Sequence, residues 1–382
     1  MKHYDVIVTG VGTMGAPACW YLAKNKYRVL GLEQFDIPHD QGSHAGQSRI
    51  IRKAYYEHPN YVALLERAYQ NWREIEKATG AQLYYKTGLL YFGGESSVLI
   101  NGTRETAKQF NIPLDILTAD EAAPRFPAAK FHSHHQVLYE PDAGFITPEK
   151  AIAVYTVDAI SKGADIHARE KLMTWKYTGG IIEVETDKAK YTADKIVICA
   201  GAWTKKIMPG LQADLTITRQ LIAWVKPKHW EKFTIGNFSC WFLNDDDGNL
   251  FYGFPVLPPK DFSGPVGLKL AHHKPGEPTD PDNVTRSFKP GEEKILIDVF
   301  NKYFPGAAEN VLTLKTCLYN NSADADFIID FIPGTDSHAV VATGFSGHGF
   351  KFGSAVGEIV ADLATKGKTD MPIGFLRLDR FK

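Results

Sequence analysis

Three glycines and one acid near the amino terminus have the spacing of a dinucleotide-binding site. Gly10, Gly12 and Gly15 follow a short apolar run, and Glu33 comes directly after the next one. In such a fingerprint the first glycine makes a tight turn, the second lets the backbone approach a pyrophosphate and the third permits close helix packing, while the acid binds a ribose hydroxyl. Because all four residues occur in order within about 30 positions, the pattern predicts adenine-dinucleotide binding.

A second glycine-rich segment lies near the carboxyl terminus. The apolar run 339–343 precedes a turn that contains Gly344, Gly347 and Gly349, and a helical pattern follows over 352–365. A strand that enters a helix through such a turn leaves free N–H groups and the positive end of the helix dipole at the turn. Two glycine-rich sites separated by most of the chain favour an extended cofactor, and we therefore expect FAD instead of NAD.

The elements that must position these glycines are of two kinds. Helical periodicity over 61–79 and a buried strand at 195–203 accompany the first strand–helix–strand unit, whereas short strands and proline-rich turns dominate elsewhere. The predicted fold class is α/β (α+β), with a Rossmann-like FAD-binding domain and a second, mainly antiparallel β-sheet substrate domain. The FAD-binding domain is predicted to comprise 1–80, 145–215 and 320–382, and the substrate domain 81–144 and 216–319.

Local signals also predict where several elements begin and end. Gly80 is expected to end the helix at 61–79, and Thr147 is expected to cap a helix that Pro148 opens. Residues 190–192 are expected to form a short strand separate from the one at 195–203. The small residues that end the latter would let backbone approach a bound cofactor.

Composition narrows the class of partner. The chain has 382 residues, is 44% hydrophobic and carries a net charge of −1 with its charges interspersed, which gives no electrostatic case for nucleic acid or an anionic membrane surface. No apolar run approaches the ~18 residues that span a bilayer. The four cysteines are too sparse for a disulfide framework. We expect a cytoplasmic protein that binds a small molecule and neither nucleic acid nor membrane.

Four separated motifs resemble the family of monomeric sarcosine oxidase and N-methyltryptophan oxidase. They are Ser43–Tyr55, Gly267–His273, Lys315–Tyr319 and Gly344–Phe352, and the similarity extends from Asp5 to the carboxyl end. The resemblance implies an FAD-dependent oxidase of N-methyl amino acids, which are secondary amines. Hydride transfer from the C–N bond would leave an imine that water hydrolyses, and O2 would be reduced to hydrogen peroxide. It also implies a monomer whose partners are an N-methyl amino acid and O2.

The resemblance implies roles for four basic residues. Arg52 and Lys351 match the pair that holds the substrate carboxylate, a task that suits a guanidinium fork and a compact ammonium. Lys269 matches the lysine credited with activating oxygen, since a fixed positive charge stabilises developing superoxide. Arg49 is expected to lie against the flavin ring and to favour its anionic reduced form.

Other matched positions complete the expected site. Cys317 matches the residue that attaches FAD covalently through a thioether, as a thiolate can. His273, Tyr252 and His348 match pocket residues, and a neutral histidine there could orient the substrate amine without acting as an essential base. The expected cofactor-binding residues are Gly10, Gly12, Thr13, Met14, Gly15, Glu33, Gln34, Ser43, His44, Arg49, Leu172, Ala200, Gly201, Trp203, Gly344, Ser346, Gly347, His348, Gly349 and Lys351.

Two positions depart from the family pattern, and one cluster is given no role. Ala45 stands where the family has a second histidine and Gln47 where it has an acid, which puts in doubt how their loop meets the flavin. The histidines at 132, 134 and 135 are interpreted as loop residues, and no metal is expected, because no cysteine or carboxylate stands at ligand spacing.

Several functions remain open from the sequence. An FAD-dependent amino-acid or imino-acid dehydrogenase could pass electrons to an acceptor other than oxygen, although Lys269 argues against it. An oxidase of glycated or cyclic imino acids would also use a carboxylate clamp. A flavin-bound scaffold without catalytic activity is the third alternative.

Overall fold

Residues 1–381, which the computed structural model describes, form nineteen strands and nine α-helices. The strands are β1 (Lys2–Thr9), β2 (Val29–Leu32), β3 (Arg49–Ile51), β4 (Tyr84–Tyr85), β5 (Leu89–Gly94), β6 (Asp115–Thr118), β7 (His135–Glu140), β8 (Gly144–Ile146), β9 (Asp165–His167), β10 (Leu172–Thr178), β11 (Ile181–Thr186), β12 (Lys190–Ile198), β13 (Leu215–Lys226), β14 (Cys240–Asn244), β15 (Leu250–Phe254), β16 (Leu268–His272), β17 (Asn310–Ser322), β18 (Ile328–Phe331) and β19 (Ala339–Thr343). The α-helices are α1 (Gly15–Lys24), α2 (Tyr61–Thr79), α3 (Val98–Phe110), α4 (Ala119–Arg125), α5 (Pro148–Ser161), α6 (Thr204–Ile207), α7 (Trp230–Phe233), α8 (Lys294–Tyr303) and α9 (Gly353–Lys366). Short 3₁₀ helices lie at Gly201–Trp203, Phe350–Phe352, Gly374–Leu376 and Leu378–Phe381.

The first large sheet brings the two glycine-rich segments together. Its strand order is β10-β11-β12-β1-β2-β9, and β19 pairs with both β12 and β18. Strands β2, β1, β12 and β19 run parallel. The carboxyl ends of parallel strands meet at one edge of a sheet, so the turns after β1 and β19 lie at the same edge. Helix α1 covers this sheet and packs between α5 and α9.

The second large sheet has the order β17-β13-β16-β15-β14-β5-β7-β6. Its strand pairs are antiparallel except for β14 with β5. The third sheet has three strands in the order β3-β8-β4. The predicted mixed α/β fold is therefore confirmed, while the five domain segments stay a prediction. No helix among residues 1–381 has the length and apolarity needed to cross a bilayer.

Two local predictions need correction. Thr147 precedes the helix that Pro148 opens, but its hydroxyl makes no cap bond and instead lies 3.4 Å from the Leu83 carbonyl oxygen, to which it donates. The segments predicted as separate strands at 190–192 and 195–203 form one strand, β12, which ends at Ile198. Pairing with β1 includes Ala193, which lies between the two segments, and Lys195, and the small residues after β12 begin a 3₁₀ turn.

Candidate active site

A cavity of about 350 Å³ lies where β1, β2, β12 and β19 end. Sixteen of the predicted cofactor residues line it. They are Gly10, Gly12, Thr13, Met14, Glu33, Gln34, Ser43, His44, Arg49, Leu172, Ala200, Gly201, Trp203, Ser346, Gly347 and Gly349. We call this space the dinucleotide cavity. Tyr252, which was predicted as a pocket residue, also lines it. Sequence reasoning missed the other lining residues: Thr9, Leu32, His39, Gly42, Glu170, Lys171, Met173, Cys199, Ala202, Lys206, Ile207, Leu318, Tyr319, Asn320, Ala342, Phe345 and Phe350.

The three glycines of the fingerprint are glycine for different structural reasons. A Cβ on Gly10, whose φ is +85°, would lie 2.4 Å from the Cys199 carbonyl oxygen, and one on Gly15 would lie 1.9 Å from the Gly10 carbonyl oxygen. A Cβ on Gly12 would meet nothing nearer than His44 Nδ1 at 3.9 Å. Gly10 and Gly15 thus permit close packing, whereas Gly12 leaves open space at the cavity wall, where a pyrophosphate could approach the backbone.

Glu33 presents a buried carboxylate at the end of β2. Its Oε2 accepts a hydrogen bond from the Val11 N–H at 3.0 Å, and its Oε1 accepts one from the Phe35 N–H at 3.0 Å. Burial raises the pKa of Glu33 to about 7 despite these bonds. The side chain that could form an ion pair with Glu33 is His39, whose Nε2 lies 3.8 Å from Glu33 Oε1. Burial lowers the pKa of the His39 imidazole to about 4, so it is neutral at physiological pH. The remaining lone pairs of Glu33 therefore suit hydroxyl donors such as those of a ribose.

Two buried polar atoms on the cavity wall have no partner among the described residues. They are His44 Nε2 and Asn320 Oδ1. Burial lowers the pKa of His44 to about 3, so its imidazole is neutral at physiological pH. Buried polar atoms are rarely left unpaired in folded proteins, and a bound group with its own donors and acceptors would satisfy both atoms. Together with Glu33 and Gly12, they make the cavity fit an adenine dinucleotide.

Two predicted cofactor residues, Gly15 and Gly344, do not line this cavity. Gly344 has a φ of +66°, and a Cβ there would lie 3.3 Å from side chains of Ile328, Leu215 and Ser322. The conformation at Gly344, like the packing at Gly15, explains the residue type without a cofactor contact. Two further predicted residues, His348 and Lys351, line a neighbouring cavity instead.

The loop before β3 has its carbonyl groups turned toward two cations. Arg49 Nη2 donates to the carbonyl oxygens of Ser43 (2.9 Å) and Ala45 (2.6 Å). Lys269 Nζ donates to the carbonyl oxygens of Gly46 (2.5 Å) and Ser48 (2.6 Å). Both cations therefore hold the loop that lies against the dinucleotide cavity.

The amide groups of the same loop are turned toward an acid from α5. Glu149 Oε1 accepts hydrogen bonds from the N–H groups of Gly46 (2.7 Å) and Gln47 (3.1 Å). The Gln47 side chain donates to the Ser263 carbonyl oxygen at 3.0 Å and accepts from Trp224 Nε1 at 3.2 Å. An ionised acid at position 47 could accept from the tryptophan but could not donate to Ser263. The departure at Gln47 thus fits its surroundings in this chain.

Lys269 lies behind the loop and lines neither cavity. Its side chain is buried, and its ammonium also lies 4.3 Å from the Phe254 ring centroid. Burial and then Arg49 lower the pKa of Lys269 well below its usual value, whereas Glu149 opposes this shift. A solvated surface lysine, the ordinary fate of this residue type, is excluded.

Cys317 lies on β17 beside the flavin-binding candidates. Its sulfur is 3.6 Å from Arg49 Nη2 and 3.3 Å from the Ser43 carbonyl oxygen. The next two residues, Leu318 and Tyr319, line the dinucleotide cavity.

A second cavity of about 40 Å³ adjoins the first and shares Arg49, Tyr252, Gly347 and Phe350 with it. We call it the substrate cavity. Its lining unites five residues that the sequence separates by up to 299 positions, Arg52, Tyr252, His273, His348 and Lys351. The remaining lining residues are Ile50, Glu57 and Phe242.

Arg52 has a carboxylate partner that sequence reasoning missed. Its Nη2 donates to both oxygens of Glu57, at 2.6 and 2.7 Å, and its Nη1 donates to the Ala54 carbonyl oxygen at 3.1 Å. The guanidinium carbon lies 4.4 Å from the Tyr55 ring centroid. The one available signal was an acid five residues after the arginine in the same loop. Any carboxylate that approaches this guanidinium must therefore compete with Glu57 or share Arg52 with it.

The other polar residues of this cavity differ in what they are free to do. Lys351 Nζ donates to the His348 carbonyl oxygen at 2.7 Å, and burial followed by the nearby Arg52 lowers the pKa of the ammonium to about 7. His348 is held on both sides, by the Tyr55 hydroxyl at Nδ1 (2.5 Å) and by the Ala325 carbonyl oxygen at Nε2 (3.0 Å). Since a carbonyl only accepts, Nε2 carries the proton, and His348 has no free nitrogen.

His273 is the histidine that stays available. Burial lowers its pKa to about 4, so the imidazole is neutral at physiological pH. No residue within 1–381 hydrogen-bonds to its ring, whose centroid lies 5.6 Å from that of Phe242 and 6.1 Å from that of Tyr252. A neutral imidazole with free nitrogens can accept a hydrogen bond from an amine.

A family model described as FAD dependent oxidoreductase matches residues 5–363. The chain belongs to this family. A monomeric sarcosine oxidase from Streptomyces avermitilis is 37% identical over 372 residues, which cover 97% of this chain and 96% of that protein. An N-methyl-L-tryptophan oxidase from Yersinia pestis is 29% identical over 381 residues, which cover 99% of this chain and 100% of that protein. Membership makes FAD the dinucleotide that the larger cavity fits.

The fold comparison gives the same architecture. The crystal structure of NikD, an amino acid oxidase of nikkomycin biosynthesis, has a TM-score of 0.85 and 24% identity, covering 99% of this chain and 98% of that one. At this identity the similarity supports the fold alone.

Proposed function

We propose that the chain is an FAD-dependent oxidase of N-methyl amino acids with a small side chain or none, of which sarcosine is the simplest. The observation that carries the proposal is that two buried basic side chains, Arg52 and Lys351, line one small cavity that adjoins the dinucleotide cavity. Buried cations in a site of this size suit a small anion such as a carboxylate. The relatives named sarcosine oxidase act on an amino acid of this class.

Each residue of the substrate cavity has a role in this reaction. When bound, FAD supplies a two-electron acceptor that takes a hydride from the carbon beside the substrate nitrogen and passes the electrons to O2. Arg52 binds the carboxylate as a fork, and Lys351 adds a point charge. His273 accepts a hydrogen bond from the substrate nitrogen and orients the neutral amine. His348 positions the Tyr55 hydroxyl and the glycine turn, and water hydrolyses the released imine.

The apolar wall of the substrate cavity favours a small substrate. Phe242 is buried, its ring lies 6.0 Å from that of Tyr252 at an interplanar angle of 28°, and its centroid lies 5.7 Å from the Arg52 guanidinium. An indole beside the bound carboxylate would require these rings to move. We therefore expect sarcosine to be oxidised with a higher kcat/KM than N-methyl-L-tryptophan.

A peroxide assay with both amines tests this preference. Phe242→Ala is expected to shift the ratio of the two kcat/KM values toward N-methyl-L-tryptophan by about tenfold, because a methylene-sized change in a pocket already alters selectivity by this order. Phe251→Ala removes the same ring from the neighbouring strand, where it stacks on His272, and should leave the ratio unchanged. Equal kcat/KM values for the two amines in the unmodified enzyme would contradict the small-substrate proposal.

Oxygen as the acceptor is tested separately. Lys269 supports oxygen as the acceptor, because a buried lysine behind the loop before β3 could stabilise developing superoxide. We expect peroxide from sarcosine under air without an artificial acceptor, and we expect Lys269→Met to slow peroxide formation more than anaerobic flavin reduction. Turnover that begins only after a dye is added would favour the dehydrogenase instead. Failure of every tested amine, including cyclic and glycated ones, to reduce the flavin anaerobically would favour the scaffold.

We propose that Cys317 attaches the flavin covalently. Its nearness to Arg49 supports this, whereas burial raises the pKa of Cys199, which also lines the dinucleotide cavity, to about 12. After acid precipitation the yellow colour should stay with the unmodified protein and with Cys199→Ser, but leave Cys317→Ser. Release of the flavin from the unmodified protein would disprove the tether.

We further propose a cytoplasmic monomer. All four cysteines are free thiols, which suits a reducing compartment. The name of the sarcosine oxidase relatives supports the monomer. Light scattering on the purified enzyme should give the 42.5 kDa mass of one chain, and a twofold mass would contradict it.

A further inference from the structure

A cluster of imidazoles and one carboxylate lies at the margin of the second sheet, on residues that line neither cavity. His134 and His135 stand at the start of β7, and Asp246 belongs to the turn between β14 and β15. One ligand atom from each of the three residues lies within 4.8 Å of the others. Tertiary structure thus supplies the carboxylate that sequence spacing lacked.

Within this cluster, His135 gives the strongest indication of a missing ligand. Its side chain is fully buried, and its Nε2 has no hydrogen-bond partner among the described residues. That nitrogen lies 3.8 Å from Asp246 Oδ1, too far for a hydrogen bond, while His134 Nε2 lies 2.9 Å from the same oxygen. Ligands at about 2.0–2.1 Å from a tetrahedral zinc ion are about 3.3 Å apart. The two observed separations lie on either side of this value.

The carboxylate is oriented by its neighbours. Asp246 Oδ2 accepts hydrogen bonds from Lys302 Nζ at 2.7 Å and from the Tyr303 hydroxyl at 3.1 Å. Oδ1 is thereby turned toward the two imidazoles, as outer hydrogen bonds turn metal ligands in known sites.

Three contacts oppose a bound cation and limit its affinity. The first is the hydrogen bond between His134 Nε2 and Asp246 Oδ1, which a metal bound to both atoms would replace. The ammonium of Lys302 is a like charge close to the cluster. In addition, His135 Nδ1 accepts a hydrogen bond from the His132 N–H at 3.2 Å. A metal on Nε2 requires the proton to move to Nδ1, so this one long hydrogen bond is lost. The site should therefore bind more weakly than a fully enclosed structural zinc site.

We propose that His134, His135 and Asp246 form a Zn²⁺ site with two imidazole nitrogens, one carboxylate oxygen and water as the fourth ligand. This ligand set is one that zinc uses in proteins. The ion would link the start of β7 to the β14–β15 turn. The proposal is independent of the proposed oxidase function.

Calorimetric titration of the metal-free holoenzyme with Zn²⁺ tests the proposal, and Co²⁺ absorption reports the geometry. We expect one Zn²⁺ per chain, tetrahedral Co²⁺ bands and at least a tenfold rise in Kd for His134→Gln and for Asp246→Asn. His134 is exposed, so its variant keeps the fold even if Asp246→Asn loses stability.

His229→Gln is the matched control. His229 is also an exposed histidine beside a carboxylate, with Nδ1 3.4 Å from Glu231 Oε1, but this pair belongs to no three-ligand group among the described residues. Its Kd for Zn²⁺ should equal that of the unmodified enzyme. Absence of binding, or binding that His134→Gln leaves unchanged, would overturn the site.

Discussion

The dinucleotide cavity and the substrate cavity adjoin each other but are built in opposite ways. The first is formed largely by backbone and small residues at the ends of parallel strands, with Gly12 leaving open space and one acid, Glu33, without a charged partner. The second is formed by large polar side chains, Arg52, Glu57 and Lys351, which hold one another or nearby carbonyl groups.

The difference indicates what each cavity tolerates. Where backbone shape makes the site, an added methyl group is costly and most side chains are not decisive. Where buried charges make the site, the backbone is less constrained, but removal of one charge leaves its partner unpaired in a poorly solvated place. Four predictions test this contrast.

The largest effect is expected from a methyl group in the glycine turn, and its size should depend on position. Gly10→Ala places Cβ against the Cys199 carbonyl at a φ that alanine rarely adopts, so we expect loss of flavin and a loss of unfolding free energy of about 3 kcal/mol. Gly12→Ala meets open space and should lose flavin while the unfolding midpoint of the flavin-free protein stays unchanged. Flavin absorbance per chain and urea unfolding measure both. Equal urea midpoints for the two flavin-free variants would contradict the predicted difference between Gly10 and Gly12.

Removal of the guanidinium should have the converse pattern. Arg52→Met is expected to lower kcat/KM for sarcosine by 10²–10³-fold, about 3–4 kcal/mol, because it removes the carboxylate fork and leaves Glu57 buried without a cation. Flavin content should stay at one per chain. Steady-state peroxide assays and the flavin absorbance ratio check this. A loss of flavin equal to that of Gly12→Ala would show that the two cavities are not separable.

Removal of the competing carboxylate should act in the other direction on binding. Glu57→Gln is expected to tighten the binding of a small carboxylate such as acetate by about tenfold, since the guanidinium no longer has an anionic partner to give up. The same variant should unfold at lower urea, because the buried ion pair is lost. Titration followed by flavin absorbance measures the Kd. Weaker acetate binding would mean that Glu57 assists the carboxylate instead of competing with it.

The smallest effect is a pH dependence that belongs to the substrate cavity. Burial places the pKa of Lys351 at about 7 in the free enzyme, and a bound anion favours the ammonium. Acetate affinity should therefore change little between about pH 5.5 and about pH 6.5, where the lysine is mostly protonated and acetate is ionised, and fall by up to about tenfold per pH unit above pH 7. Lys351→Arg keeps its charge throughout and should flatten the profile. The same decline in Lys351→Arg would assign the titration to another group.

The sequence by itself determined the parts that depend on local chain geometry. The fingerprint predicted the first strand, the glycine turn and the acid, because a turn that needs φ near +85° at Gly10 restricts the residue type wherever it occurs. Periodicity likewise predicted α2 from Tyr61 to Thr79 and its end at Gly80, whose φ is +73°. The motifs also indicated the family, and the comparison with the FAD dependent oxidoreductase family confirmed it.

Only the tertiary structure decided which side chains become partners. The spacing of residues does not show that Glu57 forms an ion pair with Arg52 or that Gln47 hydrogen-bonds to Ser263. Nor does it show that Asp246 lies beside two histidines more than 100 positions away along the chain. Backbone conformation is set within a few residues, so a local pattern reveals it. A side-chain partnership depends on which strands a sheet brings together, and the distance along the chain between those strands carries no such information.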